Sequence, residues 1–216
     1  MSGSTGAVGR RDRNMRDKRE RIFNAAAELF AERGFAAVST QQVSERADVA
    51  AGTLFRYASS KGELLLMVYN DEFRDALRIG EERAGREGDV VEAIVQLVLP
   101  IIARVGVNPE NSQVFQRELI FGPDTEQFRA EGLAIVAELE ARIASRLLQE
   151  ARARRPQADE HAAALASSGI FAIVHLAVVR SSMGAIADTD AIDDLRVQIG
   201  QIVSGYLATL ASPAAP

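Results

Sequence analysis

Residues 39–61, STQQVSERADVAAGTLFRYASSK, predict two short helices joined by a tight turn. Ser39 followed by Gln42 is a capping-box pattern, so the first of these helices should begin here. Residues 48–49 form the predicted turn, and the second helix covers about residues 50–57. A short helix held by another, with small and hydrogen-bonding residues outward, is typical of helix-turn-helix modules that enter the major groove of DNA.

The side chains of this segment divide into an inner and an outer set. The apolar residues that should hold the two helices together are Val43, Ala47, Val49 and Leu54. Outside, Arg56 can pair with guanine or bind a phosphate, Thr53 can contact a thymine methyl or a phosphate, and Gln41 can do either. Gly52 is costly inside a helix and is explained if the backbone must approach a partner closely. The alternative is a helical hairpin within a core, in which Arg56 is an ordinary surface charge.

The charge distribution supports a polyanionic partner for one end of the chain. Residues 1–61 carry 11 Lys and Arg against 7 Asp and Glu, whereas residues 62–216 carry 14 against 23. A basic end on an acidic body favours one nucleic-acid-facing surface and disfavours non-specific contact elsewhere. The basic residues expected to form a mobile arm that contacts the adjacent backbone or minor groove are Arg10, Arg11, Arg13, Arg16, Lys18 and Arg19.

Composition excludes several classes of protein. The 216 residues include no cysteine, so a disulfide framework and a thiolate zinc site are both excluded. The first eleven residues lack the apolar stretch of a secretory signal, and no apolar run reaches the roughly 20 residues of a membrane span. We therefore expect a cytoplasmic protein that does not contact a membrane.

The whole chain reads as helical. Helix-forming residues dominate, and no alternating strand pattern persists. The first strong helix covers about residues 16–33, with Gly34 as its stop. We expect an all-α fold in which a three-helix DNA-binding domain precedes a six-helix domain. The predicted boundaries are a flexible basic arm at 1–15, a DNA-binding domain at 16–62, a helical domain at 63–211 and a disordered tail at 212–216.

Over about Arg16–Tyr69 the chain resembles the tetracycline-repressor (TetR) family of bacterial transcriptional regulators. The residues that carry the resemblance are Ala26, Leu29, Phe30, Arg33-Gly34-Phe35, Ser39-Thr40, Val43, Ala47, Val49, Gly52-Thr53-Leu54-Phe55-Arg56-Tyr57, Lys61 and Leu64. The resemblance implies a helix-turn-helix DNA reader and a helical effector-binding domain. The positions that it implies contact DNA are Thr40, Gln41, Ala51, Gly52, Thr53, Phe55, Arg56, Tyr57 and Lys61.

The chain departs from the family pattern at three notable positions. Asp48 replaces the usual turn Gly, which is tolerable because Asp enters the left-handed region more readily than most residues. Phe55 replaces Tyr and so removes a hydrogen bond to phosphate. Ala58 replaces a larger apolar residue, which should loosen packing against the first helix.

The last two predicted helices are apolar on more than one face, so each needs two partners. The apolar residues of the eighth helix include Ile170, Phe171, Ile173, Val174, Ala177, Val178 and Met183. Those of the ninth include Ile192, Leu195, Ile199, Ile202, Val203, Tyr206 and Leu210. The resemblance also implies a homodimer through these helices, a near-palindromic operator and, most simply, repression that a small molecule relieves. A monomeric core is the alternative.

Candidate effector contacts lie between the fifth and eighth helices. We expect a largely apolar effector near Arg104, Phe115, Glu118, Phe121, Phe171 and His175, with Arg117 and Phe128 as further candidates; each aromatic residue could instead be simple core. No metal or cofactor is expected: His161 and His175 lie about 21 Å apart along one helix, and helix capping explains the cluster at Asp188–Asp194. No catalytic constellation is visible, so a helical enzyme and a ligand carrier without DNA binding are the rival functions.

Overall fold

The computed structural model describes the backbone of residues 5–182 and 189–210, and the side chains of residues 13–180 and 191–210. Over these ranges the chain forms nine helices and no strand, which confirms the all-α expectation. The helices are α1 (Thr5–Ala37), α2 (Thr40–Arg46), α3 (Ala51–Leu54), α4 (Lys61–Ala84), α5 (Val90–Val107), α6 (Pro109–Phe121), α7 (Gln127–Arg154), α8 (Glu160–Ser182) and α9 (Thr189–Thr209). Arg10, Arg11, Met183, Asp188 and the 212–216 tail lie outside the residues whose side chains are described.

α1 is longer than the sequence predicts. Its predicted apolar stripe, Ile22 to Phe30, is buried. The helix nevertheless begins at Thr5, so residues 5–15 continue α1 where a flexible arm is predicted. This stretch contains no proline, and adding residues to an established helix costs far less than starting one. Gly34, with φ 73° and ψ 166°, breaks the helical conformation near its end. That region of backbone conformation is open almost only to glycine.

The predicted helix pair is present as α2 and α3. The Ser39 hydroxyl accepts from the Gln42 amide, while the Gln42 side chain accepts from the Ser39 amide, which confirms the capping box. Asp48 adopts the expected positive φ of 50°. Arg21 donates to the Asp48 backbone and side-chain oxygens, which ties the turn to α1. Ala58 is buried to 1% exposure, so the small side chain still packs fully.

The chain divides into two compact units. Unit 1 contains the residues up to Asp71 together with Val114–Gly132, and unit 2 contains Glu72–Gln113 and the residues from Leu133 onwards. This division differs from the boundary that the sequence predicts at residue 62. The difference arises because the first turns of α4 and the connection between α6 and α7 bond to each other, as described below.

Unit 2 is built around α5, which packs against α8 and α9. Its core includes Ile94, Leu97, Val98, Ile143, Leu147, Ile170, Val174, Ile199 and Val203. A Cβ atom on Gly80 of α4 would lie 2.2 Å from the carbonyl oxygen of Leu97, so only glycine allows the observed approach of α4 to α5. α5 continues through Pro100 to Val107, where the sequence allowed either a kink or an end.

An ion pair joins two helices of this unit. The Glu92 carboxylate accepts from the Gln96 amide at 2.9 Å and from Arg196 Nε at 3.1 Å. The hydrogen bond from Gln96, followed by the bond and charge of Arg196, holds the pKa of Glu92 below its ordinary value although partial burial opposes this. The pair therefore contributes stability only while Glu92 is ionised.

Two helices of the described part are long and apolar enough to cross a membrane by length and composition alone. They are Val90–Val107, with a mean hydropathy of 2.0, and Glu160–Arg180, with 2.1. The sequence expectation concerned unbroken apolar runs, whereas a mean over a helix tolerates the isolated charges that interrupt such a run. Both helices contribute to the core of unit 2, and a core helix of this length passes the same test. α8 also keeps an exposed apolar side, which is described below.

Candidate nucleic-acid interface

The exposed side of α3 is small and open. Ala51 and Gly52 are exposed, and a Cβ atom on Gly52 would have no neighbour within 4 Å. Packing within the described residues therefore gives no reason for glycine at this position. The absence of a side chain lets another molecule approach the backbone of α3 closely, as the sequence predicts.

Arg56 is the cation that this surface leaves free. Its side chain is exposed and makes no hydrogen bond or ion pair with any residue of the described ranges. Gln41 is also exposed, but its Nε2 donates to Glu45 at 2.9 Å. Thr40 and Thr53 are half-buried beside them. Arg56 is thus available to a partner without breaking an internal bond, whereas Gln41 must first release Glu45.

Lys61 has a structural role that the sequence does not predict. Its ammonium donates to the carbonyl oxygens of Phe35 and Val38, both at 2.8 Å, and lies 4.1 Å from the centre of the Phe35 ring. These bonds satisfy carbonyls at and just beyond the end of α1, which a helix terminus leaves without partners. The expected role of Lys61 as a phosphate contact must therefore be reconsidered, because two of its three N–H groups are occupied.

Tyr57 is similarly occupied. Its hydroxyl donates to the carbonyl oxygen of Met15 at 3.1 Å, so it joins α1 to the turn that follows α3. Phe55 has no hydroxyl, and 48% of its surface is exposed. Of the predicted basic arm, Arg19 lies 5.9 Å from the centre of the Phe128 ring. The predicted contact residues therefore include both free groups and groups that hold the module together.

The connection between α6 and α7 is bonded to the start of α4. The Ser59 and Ser60 hydroxyls both donate to Glu126 Oε1 at 3.0 Å. Glu126 is only 7% exposed, although it lies in a segment that the sequence places in the effector domain. Glu63 accepts from the amide of Ser59 at 2.5 Å, which secures the same turn from the α4 side.

Phe128 completes this connection. Its amide donates to Glu63 at 3.4 Å, and its carbonyl oxygen accepts from Asn70 Nδ2 at 2.7 Å. Asn70 is fully buried, and the Phe128 ring is 3% exposed. We call the set Ser59, Ser60, Glu63, Asn70, Glu126 and Phe128 the clasp. It makes residues 114–132 part of unit 1, which also contains α2 and α3, and no local sequence pattern indicates it.

The predicted effector contacts are divided between the two units. In unit 1, Phe115 is buried with its ring 5.6 Å from that of Tyr69, Glu118 pairs with Arg117 at 2.6 Å, and Phe121 is 80% exposed. These environments are a core stack, a surface ion pair and an open surface. The assignment of these three residues to an effector site stays a prediction.

Unit 2 contains a cavity of about 570 Å³ between α4, α5 and the start of α9. Its lining is mostly apolar, from residues such as Ile79, Leu99 and Ile192, with the charged side chains Asp75, Arg83 and Arg104 beside them. Of the predicted effector residues in this unit, Arg104 lines the cavity, whereas Phe171 and His175 do not. They stack on each other along α8, with ring centres 5.9 Å apart.

The last two helices present apolar and small residues outward. On α8 the exposed positions include Leu165, Ser168, Ala172 and Leu176, and on α9 they include Val197, Gln201, Ser204 and Ala208. Leu165 is 62% and Val197 59% exposed. These spacings place each set along one side of its helix. Among the described residues, no group of three or more His, Cys, Asp or Glu side chains could hold a metal ion.

Comparison with known proteins adds two kinds of similarity. The repressor KstR of Rhodococcus jostii is 39% identical over 89 residues, which are 41% of each chain. The chain thus spans less than half the length of the curated relatives that it matches. Two solved structures share the fold: FadR of Thermus thermophilus in complex with lauroyl-CoA (TM-score 0.64, 23% identity, covering 92% of this chain and 97% of that one) and FadR of Bacillus subtilis in complex with stearoyl-CoA (TM-score 0.62, 19% identity, 86% and 98%).

A protein-family profile matches the part of the chain that contains α2 and α3. Residues 22–68 match the profile of "Bacterial regulatory proteins, tetR family". This range contains the second half of α1, the capped helix α2, the short helix α3 and the first turns of α4, whose geometry is described above. Residues 22–68 of this chain therefore form a domain of the kind found in the tetR family of bacterial regulatory proteins.

Proposed function

We propose that this protein is a homodimeric, DNA-binding transcriptional repressor that a small molecule releases from its operator in the cytoplasm. The observation that carries the proposal is the surface of α3 and of the turn after it. Open Gly52 lies four residues before Arg56, whose guanidinium is unpaired within the described residues. The Arg56 amide donates to the carbonyl oxygen of Thr53 at 3.2 Å, so the chain keeps a helix-like course up to Arg56. A backbone that can be approached closely beside a free, bidentate donor fits the floor of a DNA major groove.

The DNA contacts follow from the groups that remain free. Arg56 is assigned to a guanine edge or a phosphate, and Thr40, Gln41 and Thr53 to positions beside it. Ala51 and Gly52 supply close approach rather than hydrogen bonds. Tyr57 and Lys61 position the module through their bonds to Met15 and to the end of α1.

Dimerisation through α8 and α9 is supported by their outward sides. Leu165 and Leu176 of α8 are exposed, as is Val197 of α9. A second copy would cover these apolar groups, and the small residues between them permit close helix approach. Two related reading helices would then meet half-sites of a near-palindrome about 34–36 Å apart. Changing Leu176 to Glu should give a monomer by light scattering at micromolar concentration; a variant that remains dimeric would place the interface elsewhere.

The effector is proposed to bind in the cavity of unit 2. A volume of about 570 Å³ lies within the range of small-molecule sites. Its apolar walls and the guanidinium of Arg104 suit a molecule with an apolar body and an anionic group. The FadR structures with stearoyl-CoA and lauroyl-CoA supply suitable probes. If either ligand releases DNA, the Arg104→Ala variant should need a higher concentration than the wild type.

The decisive experiment is selection of duplexes from a random pool, followed by titration at several salt concentrations. We expect an enriched near-palindrome, and we expect Arg56→Ala to weaken binding by about 1–3 kcal/mol. Arg86→Ala is the matched control, because Arg86 is exposed and lies in unit 2. A pool without enrichment would instead favour a helical ligand carrier or enzyme. Equal losses for the two arginine variants would remove Arg56 from the interface.

A further inference from the structure

The reading surface has few free hydrogen-bonding side chains. Gln41 is bonded to Glu45, Tyr57 to Met15, and Lys61 to the end of α1. Among the larger polar side chains of residues 39–61 that are predicted to contact DNA, Arg56 alone is both exposed and uncommitted within the described residues. A single donor makes fewer hydrogen bonds to bases than recognition of a specific half-site usually needs. We therefore expect a contact of another kind to contribute to sequence recognition.

Phe55 is placed to supply that contact. It directly follows α3, and 48% of its surface is exposed. It is four residues after Ala51 and three after Gly52, so all three lie on one side of the segment. That side therefore carries a methyl group, an open backbone and an aromatic ring.

The chemistry of the major groove gives this apolar side one partner. Among the edges that the four base pairs display there, the C5-methyl of thymine is the apolar group. An aromatic ring that moves out of water into contact with such a methyl group gains hydrophobic free energy, whereas the same ring in contact with a phosphate gains none. Because Gly52 has no side chain, the α3 backbone can descend far enough for Phe55 to reach the base edges.

We propose that Phe55 is a specificity-determining residue that recognises a thymine methyl group next to the base pair contacted by Arg56. The inference rests on the proposed DNA binding and concerns the same surface. It assigns to this chain a readout by apolar contact at the position where the family pattern has a tyrosine.

The test removes only the methyl groups. Duplexes are selected from a random pool with the full-length wild-type protein, and each thymine of the enriched site is then replaced by uracil. At one thymine of each half-site, we expect the replacement to weaken wild-type binding about four-fold, and about fifteen-fold when both half-sites are changed. Phe55→Ala should bind the thymine and uracil duplexes equally, whereas Phe55→Tyr, which keeps the ring, should retain the discrimination.

Phe121→Ala is the matched control, because this phenylalanine is 80% exposed outside the helix pair. It should discriminate thymine from uracil as the wild type does. The inference is overturned if Phe55→Ala keeps the wild-type discrimination at every thymine, or if no thymine-to-uracil change affects the wild type. Failure of the proposed DNA binding would appear earlier, as a pool without enrichment, and would overturn the inference with it. Because about half of the Phe55 surface is buried, melting temperatures are measured for its variants, and a variant that loses folding should weaken binding to thymine and uracil duplexes alike.

Discussion

Changing Asn70 to Ala should loosen the clasp in a measurable way. Asn70 is fully buried, and its Nδ2 donates to the carbonyl oxygen of Phe128 at 2.7 Å. The variant leaves that buried carbonyl without its donor, which costs about 1–3 kcal/mol. Gln127→Ala is the control on the same segment, since its exposed amide bonds only Glu131 and is worth about 0.2–0.5 kcal/mol.

Hydrogen exchange of the full-length protein is the assay, because two units need not unfold together and a single melting curve would average them. We expect amide protection over residues 59–66 and 126–130 to fall about 5- to 150-fold in Asn70→Ala, by the usual conversion of 1.4 kcal/mol per ten-fold. Protection within α8 should not change. The argument is refuted if the loss is confined to one of the two segments, or if it does not exceed that of the control.

Three other changes test separate contacts. Gly80→Ala should lower the free energy of unfolding by about 1–3 kcal/mol through its clash with Leu97. Gly200→Ala, at a helical site where the new Cβ would only touch Val91 at 4.0 Å, should raise it by up to about 1 kcal/mol. Midpoints of urea unfolding test both, and equal effects would contradict the packing. Lys61→Met should lower the melting temperature and leave the salt dependence of DNA binding unchanged, because no phosphate contact is lost; a flatter salt slope would restore its DNA role. The lowered pKa of Glu92 gives stability that is complete above its ordinary pKa and is lost as pH falls through the folded pKa. The melting temperature of the wild type should therefore exceed that of Glu92→Gln at pH 7, and this difference should shrink below pH 4. A difference that does not change with pH would disprove the link.

Local patterns in the sequence were sufficient to predict the main features of α1, α2 and the turn at Asp48. The capping box at Ser39 depends on residues three apart, and the buried stripe of α1 depends on helical spacing, so both are visible in a short window. The positive φ of Asp48 follows from the turn between two helices. These features involve neighbours along the chain, which is why the sequence predicts them, although α3 ends at Leu54, three residues before its predicted end.

Contacts between distant parts of the chain were not predictable in this way. Lys61 reaches carbonyls 23 and 26 residues away, and Ser59 reaches Glu126 across 67 residues. The residues that neighbour a serine or a glutamate in the sequence do not indicate such a distant partner. The sequence therefore assigned Lys61 to phosphate and Glu126 to the effector domain. The same limitation explains why the aromatic residues proposed for one effector site belong to two units.

The clasp also bears on how an effector could release DNA. α4, α6 and α7 each have residues in both units. A hundred-fold loss of DNA affinity requires an effector that prefers the released state by about 2.7 kcal/mol. One buried bond of the clasp, worth about 1–3 kcal/mol, is of that size. We therefore expect Asn70→Ala to bind an effector with altered affinity in the absence of DNA and to show a smaller ratio between its DNA affinities with and without effector. An unchanged ratio, with exchange protection lost as described, would show that the clasp stabilises the reading module without coupling it to the effector.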